Sequence, residues 1–203
     1  MPVEIIPILL FCFSTSITPG PNNIMLMSSG LNYGIKRSLP HLLGINIGFP
    51  LMILAIGLGL GSLFAKIPVI YPVIKTLGVS YLLFFAWKVA NASAPKANEK
   101  LASPVTFFQA VLFQWVNPKA WVMAIGAIAS FTSPEKFQTQ MLFILGGYMT
   151  VGALCMIFWL TLGVSLKKLI NNELHMRYFN LSMAALLVLS LIPMIFVDFG
   201  NNV

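Results

Sequence analysis

Acidic side chains are almost missing from this chain. Glu4, Glu99, Glu135, Glu173 and Asp198 are the whole set in 203 residues, and each falls at an end of the chain or in a connection between apolar runs. Charged residues of either sign make up only 8%, while 58% are hydrophobic. A soluble core does not account for so much apolar surface; a polytopic α-helical membrane protein does. Cysteine is scarce as well. Cys12 and Cys155 both sit inside apolar runs, so no disulfide framework can be read. The sequence also lacks a His/Cys metal spacing, a phosphate loop and an acid pair, which argues against an enzyme, a metal site or a cofactor. No Lys or Arg precedes Lys36, so the start of the chain lacks the basic segment of a signal peptide and no cleavage is expected. The net charge of +7 comes from basic residues scattered over short connections. That pattern orients helices in a bilayer and does not build a nucleic-acid surface.

What is present is a series of six apolar runs, at about 4–27, 40–64, 68–89, 105–130, 139–165 and 178–198, each near the roughly 20 residues a bilayer needs. The predicted fold is all-α, with six transmembrane helices. The longest polar stretch, 91–104, reads as a cytoplasmic linker between a first three-helix unit at 1–90 and a second at 105–203. Connections after the odd-numbered runs carry Lys36, Arg37, Lys88, Lys96, Lys100, Lys167, Lys168 and Arg177, against Lys66, Lys75 and Lys136 on the other side. The positive-inside rule then places both termini in the periplasm. His41 and His175 fall at cytoplasmic helix ends, where solvated side chains are expected. Three helices per half make the second half enter from the opposite face, so related halves would form an inverted repeat.

Two stretches break the apolar pattern. Thr18-Pro19-Gly20-Pro21-Asn22-Asn23 interrupts the first run, and Gln114-Trp115-Val116-Asn117-Pro118-Lys119 interrupts the fourth. Proline has no N–H and crowds the carbonyl four residues back. Pro19, Pro21 and Pro118 should therefore release the carbonyls of Thr15, Ile17 and Gln114. Unpaired backbone groups are costly in hydrocarbon, so both breaks should face protein or a watery cavity. Thr18-Pro19 and Asn117-Pro118 stand 99 positions apart, at matching depths of the two halves. Lys119 at mid-span costs roughly 2.5–3.5 kcal/mol on an insertion scale unless it is aimed at something polar. The candidate binding residues are Thr18, Pro19, Gly20, Pro21, Asn22, Asn23, Asn46, Gln114, Asn117, Pro118 and Lys119. Half-helix N-termini and Lys119 suit a carboxylate; released carbonyls suit an ammonium; the amides suit either. That combination describes a small zwitterion. Gly44 and Gly48 form a G-x-x-x-G, read as close helix packing, and Pro50 and Pro193 are candidate kinks.

At these motifs the chain resembles the LysE/RhtB superfamily of amino-acid exporters. The resemblance rests on ITPGPNN at 17–23, GINIG at 44–48, LGVSYLLFFAWK at 77–88 and FQWVNPKAW at 113–121, and it runs in order over nearly the whole chain. It implies a six-helix secondary exporter of the bacterial inner membrane, with an amino acid as substrate and the proton as coupling ion, and it leaves homo-oligomerisation open. Phe49 stands where many relatives carry an acidic residue. The overall pattern is nearest to the branch that exports neutral, cysteine-related amino acids. Two other classes compete: a transmembrane thiol relay, which would need cysteines at the breaks, and a passive channel.

Overall fold

The computed structural model describes residues 5–60, 70–91, 104–169, 172–189 and 192. Most of the 91–104 linker and the far ends of the second and sixth apolar runs, including Pro193, lie outside the described residues. The described residues are mainly helical, with no strand among them. The elements are α1 (Ile5–Ile17), α2 (Pro21–Ala55), α3 (Ile70–Ala90), α4 (Phe107–Val116), α5 (Pro118–Phe131), α6 (Phe137–Gly147), α7 (Ala153–Leu169) and α8 (Glu173–Leu189). A π-helical turn at Ile56–Leu60 extends α2, and a second at Tyr148–Gly152 joins α6 to α7.

Proline chemistry sets the boundaries that matter. α1 stops two residues before Pro19, and α2 opens on Pro21, where the missing N–H is one a helix start leaves unpaired anyway. α4 begins with a reciprocal capping box between Thr106 and Gln109, ends at Val116, and gives way after the single residue Asn117 to α5, which opens on Pro118.

α2 is not one rod. Gly34 has φ 74° and ψ 178°, outside the helical region and costly for any residue with a Cβ. Ser38 Oγ donates to Ser29 Oγ at 3.0 Å across that bend. Nine residues of straight helix would hold them about 13.5 Å apart, so the chain doubles back into a helical hairpin. The first arm packs on α7: a Cβ at Gly30 would strike the Leu160 carbonyl, and one at Gly163 would strike the Met27 carbonyl. The second arm packs on α4, with Gly44 against the Phe107 carbonyl and Gly48 bringing Val111 Cα within 2.7 Å of a notional Cβ. α3 packs against α8. Pro40 and Pro50 both lie inside the second arm, which continues past them.

Two apolar clusters organise the interior. One joins Leu26 and Leu42 of α2 with Leu82, Phe113, Leu160 and Leu187. The other joins Cys12, Met52, Trp121, Ala124, Ile144 and Tyr148. The outer surface is also apolar: Leu10, Leu112, Leu142 and Leu154 are each 62–69% exposed. Several side-chain amides lie inside instead, with Gln114 and Asn180 fully buried and Asn117 nearly so. Apolar outside and amides inside reverses the arrangement of a water-soluble fold.

Candidate functional site

The two breaks lie against each other, and polar side chains join them. Lys119 Nζ donates to the Thr18 carbonyl at 2.7 Å, the Thr18 hydroxyl at 2.8 Å and the Pro19 carbonyl at 3.4 Å. Asn22 and Gln114 exchange reciprocal amide bonds, Asn22 Nδ2 to Gln114 Oε1 at 2.8 Å and Gln114 Nε2 to Asn22 Oδ1 at 3.2 Å. Gln114 Nε2 also reaches the Ala110 carbonyl at 2.9 Å. Asn117 caps α5 by accepting the Lys119 N–H at 3.2 Å.

The carbonyls expected to stand open are answered by the protein itself. Thr15 O accepts the Thr18 hydroxyl at 3.0 Å, Ile17 O accepts the Trp159 indole at 3.1 Å, and Gln114 O accepts the Asn117 N–H at 3.3 Å. Asn23 Nδ2 serves two more, Ser16 O and Thr18 O, each at 2.8 Å. The reason is general: a backbone group with no helical partner in an apolar interior recruits a side chain. The ammonium of Lys119 is likewise engaged, on oxygens rather than on a carboxylate.

A cavity of about 50 Å³ opens where these elements meet. One water needs roughly 10–15 Å³ by a similar measure, so the space suits a small solute. Of the candidate residues, Gly20, Asn22, Asn23, Asn46, Asn117 and Lys119 line it. Thr18 and Pro19 hold Lys119, Pro21 and Pro118 start helices, and Gln114 holds Asn22 from behind. Asn46 Oδ1 is buried without a hydrogen-bond partner among the described residues, an acceptor left over beside the cavity.

Sequence reasoning missed several wall residues. Tyr148, on the second π turn, is the most consequential: its hydroxyl lies 3.2 Å from Thr15 Oγ1, and its ring meets Phe49 edge-on at 4.8 Å. Its signal was slight, one tyrosine in an apolar run among Gly146, Gly147 and Gly152. Phe49 itself faces the cavity, so an apolar ring forms the wall there. His41 corrects an expectation: it is fully buried rather than solvated, with neither ring nitrogen partnered among the described residues. A helix end in sequence became an interior position because the hairpin at Gly34 folds it inward. His175 is exposed, as expected. Cys12 and Cys155 are buried and free, and neither lines the cavity.

Residues 13–191 match the LysE type translocator family. The chain is 31% identical over 191 residues to the Cysteine/O-acetylserine efflux protein of Klebsiella pneumoniae, covering 92% of this chain and 94% of that one. It is 31% identical over 192 residues to the protein of the same name from Shigella flexneri serotype 5b, covering 90% and 95%. No solved structure matches the chain. With a family match over nearly its full length and break motifs that meet at one cavity, the chain belongs to the LysE type translocator family.

Proposed function

We propose that the protein is a proton-coupled exporter of small neutral amino acids in the bacterial inner membrane. The observation that carries this reading is the cavity: its wall combines amides and one lysine with an aromatic pair, and holds no acidic side chain. A zwitterion needs donors for a carboxylate and acceptors for an ammonium, and the wall offers both. A second cation on the substrate would find no acidic side chain in the wall to pair with, and an unpaired charge is costly in an apolar medium. The names of the relatives, which refer to cysteine and O-acetylserine, fall in the same small, neutral class.

The packing supports six spans related by an inverted repeat. Numbering the rods by apolar run, exchange of the halves maps 1 onto 4, 2 onto 5 and 3 onto 6. The contact of the first rod with the fifth, through Gly30 and Gly163, then maps onto that of the fourth with the second, through Gly48 and Gly44. The contact of α3 with α8 maps onto itself. With the basic residues on the odd-numbered connections, both termini face the periplasm.

The test is efflux of cysteine, O-acetylserine, serine, threonine, leucine, lysine and arginine from cells with and without the protein, under one gradient. Faster export of the small neutral members is expected. Preference for lysine or arginine would refute the reading. Asn22→Ala, at equal protein level in the membrane, should lower export severalfold, since it removes a cavity amide and leaves Gln114 Oε1 without its donor.

A further inference from the structure

We propose that Lys119 is the proton-coupling group, and that its ammonium and the amine of the exported amino acid take turns on one set of oxygens: the carbonyls of Thr18 and Pro19 and the Thr18 hydroxyl. The inference rests on the export reading above. It starts from a shortage. A proton-coupled carrier needs a group that binds and releases a proton inside the protein, and all five carboxylates of this sequence lie at ends or in connections. Lys119 is the charged side chain that lines the cavity. Of the titratable groups on the elements packed around it, Tyr148 lies in the cavity wall; Cys12, Cys155 and His41 are buried on α1, α7 and α2 outside that wall, and Tyr33, Lys36 and Arg37 stand beside the bend of α2, also outside it.

The geometry says what Lys119 does with its charge. An ammonium has three hydrogens, and three oxygens lie at 2.7, 2.8 and 3.4 Å from Nζ. No donor is left for a substrate carboxylate. The oxygens come from the other half of the chain, 101 and 100 residues away; Thr18 and Pro19 are exposed, and their neighbours Gly20 and Lys119 line the cavity. Gly20 keeps the approach clear: a Cβ there would lie 2.7 Å from Lys119 Cδ and 3.0 Å from Nζ. An amino acid's α-ammonium is the same chemical group as the lysine head, with the same three donors, so it fits the same oxygens.

The exchange follows. Lys119–NH3+ gives one proton to water on the cytoplasmic side and becomes –NH2. A neutral amine has two hydrogens and none of the charge that strengthens these bonds, so it releases the oxygens to the incoming ammonium. On the periplasmic side –NH2 takes one proton from water, regains its charge and displaces the amino acid outward. One proton enters for each zwitterion that leaves.

The test uses the purified full-length protein in liposomes, with radiolabelled cysteine kept reduced and serine as a second probe. Two rates are measured: exchange at equal pH, and accumulation driven by an imposed pH gradient. In Lys119→Met, the response to the gradient should disappear, and exchange at equal pH should lose its dependence on pH. In Lys119→Arg, whose guanidinium stays protonated, both should fall at least tenfold. Binding gives a readout independent of turnover. Apparent affinity should rise with pH in the unaltered protein, by about tenfold per unit where proton and substrate compete, and be flat in Lys119→Met. Gradient-driven accumulation surviving in Lys119→Met would overturn the inference and leave the export reading standing. So would lost exchange and binding in a folded Lys119→Met, which would make the lysine a carboxylate anchor. Failure of the unaltered protein to exchange any amino acid would overturn both.

Discussion

The two helix breaks solve one problem in different ways. The break before α5 is a single residue and is settled locally: Asn117 caps the helix it precedes, its own N–H returns to Gln114 O, and the Trp121 indole reaches back to Trp115 O at 2.9 Å. The break before α2 is three residues of non-helical chain, and most of its carbonyls depend on side chains that arrive from outside it. Asn23 serves Ser16 and Thr18, Trp159 comes from α7 for Ile17, and Lys119 comes from α5 for Thr18 and Pro19. A locally capped break is a fixed hinge in the scaffold. A break held by distant donors can be let go by moving one of them, which is what the proposed transport site requires.

The difference predicts unequal costs. Asn23→Leu should be the most damaging, since it strands the Ser16 carbonyl at about 1–3 kcal/mol and also takes from Thr18 O one of its two donors; unfolding of the purified protein in detergent would show it as the largest drop in stability. Trp159→Phe keeps the bulk of the ring and strands Ile17 O alone, so about 1–3 kcal/mol is expected from the same measurement. Asn117→Ala removes a helix cap, worth about 1 kcal/mol. If it costs as much as Asn23→Leu, the two breaks are alike in dependence and the comparison fails. Gly20→Ala should barely change stability, because the added methyl meets only the far end of the Lys119 side chain. It should instead weaken gradient-driven transport by pushing that chain off Thr18, and unchanged coupling would show that the close approach is incidental.

The positions of the breaks were legible in the sequence because proline acts on its own neighbourhood: a missing N–H disrupts the turn in which it sits, whatever the tertiary fold. The interrupting stretches at 18–23 and 114–119 contain the breaks, at 18–20 and 117. Glycines read as packing positions at 44 and 48 also met a helix backbone. What answers the freed carbonyls was not legible, since Trp159 is 142 residues from Ile17 and Lys119 is 101 from Thr18. The same holds for His41. Its burial depends on a reversal at Gly34, and the sequence offered only a polar interval between two apolar runs, with no sign of how sharply the chain would turn. Tyr148 was hidden for another reason: a π turn re-aims a side chain without changing the composition around it.

The order in which the chain is made gives the Lys119 contact a further consequence. Ser29 and Ser38 close a loop of nine residues, so the hairpin can form as soon as its second arm appears, whereas Lys119 and Thr18 close one of 101. Synthesis runs from the N-terminus, and the acceptors at Thr18 and Pro19 are therefore in place long before the lysine is added. A cation entering a bilayer on an isolated helix carries a cost of roughly 2.5–3.5 kcal/mol. This one arrives where oxygens already await it, and a chain ending before residue 105 would hold the acceptors without the cation that occupies them.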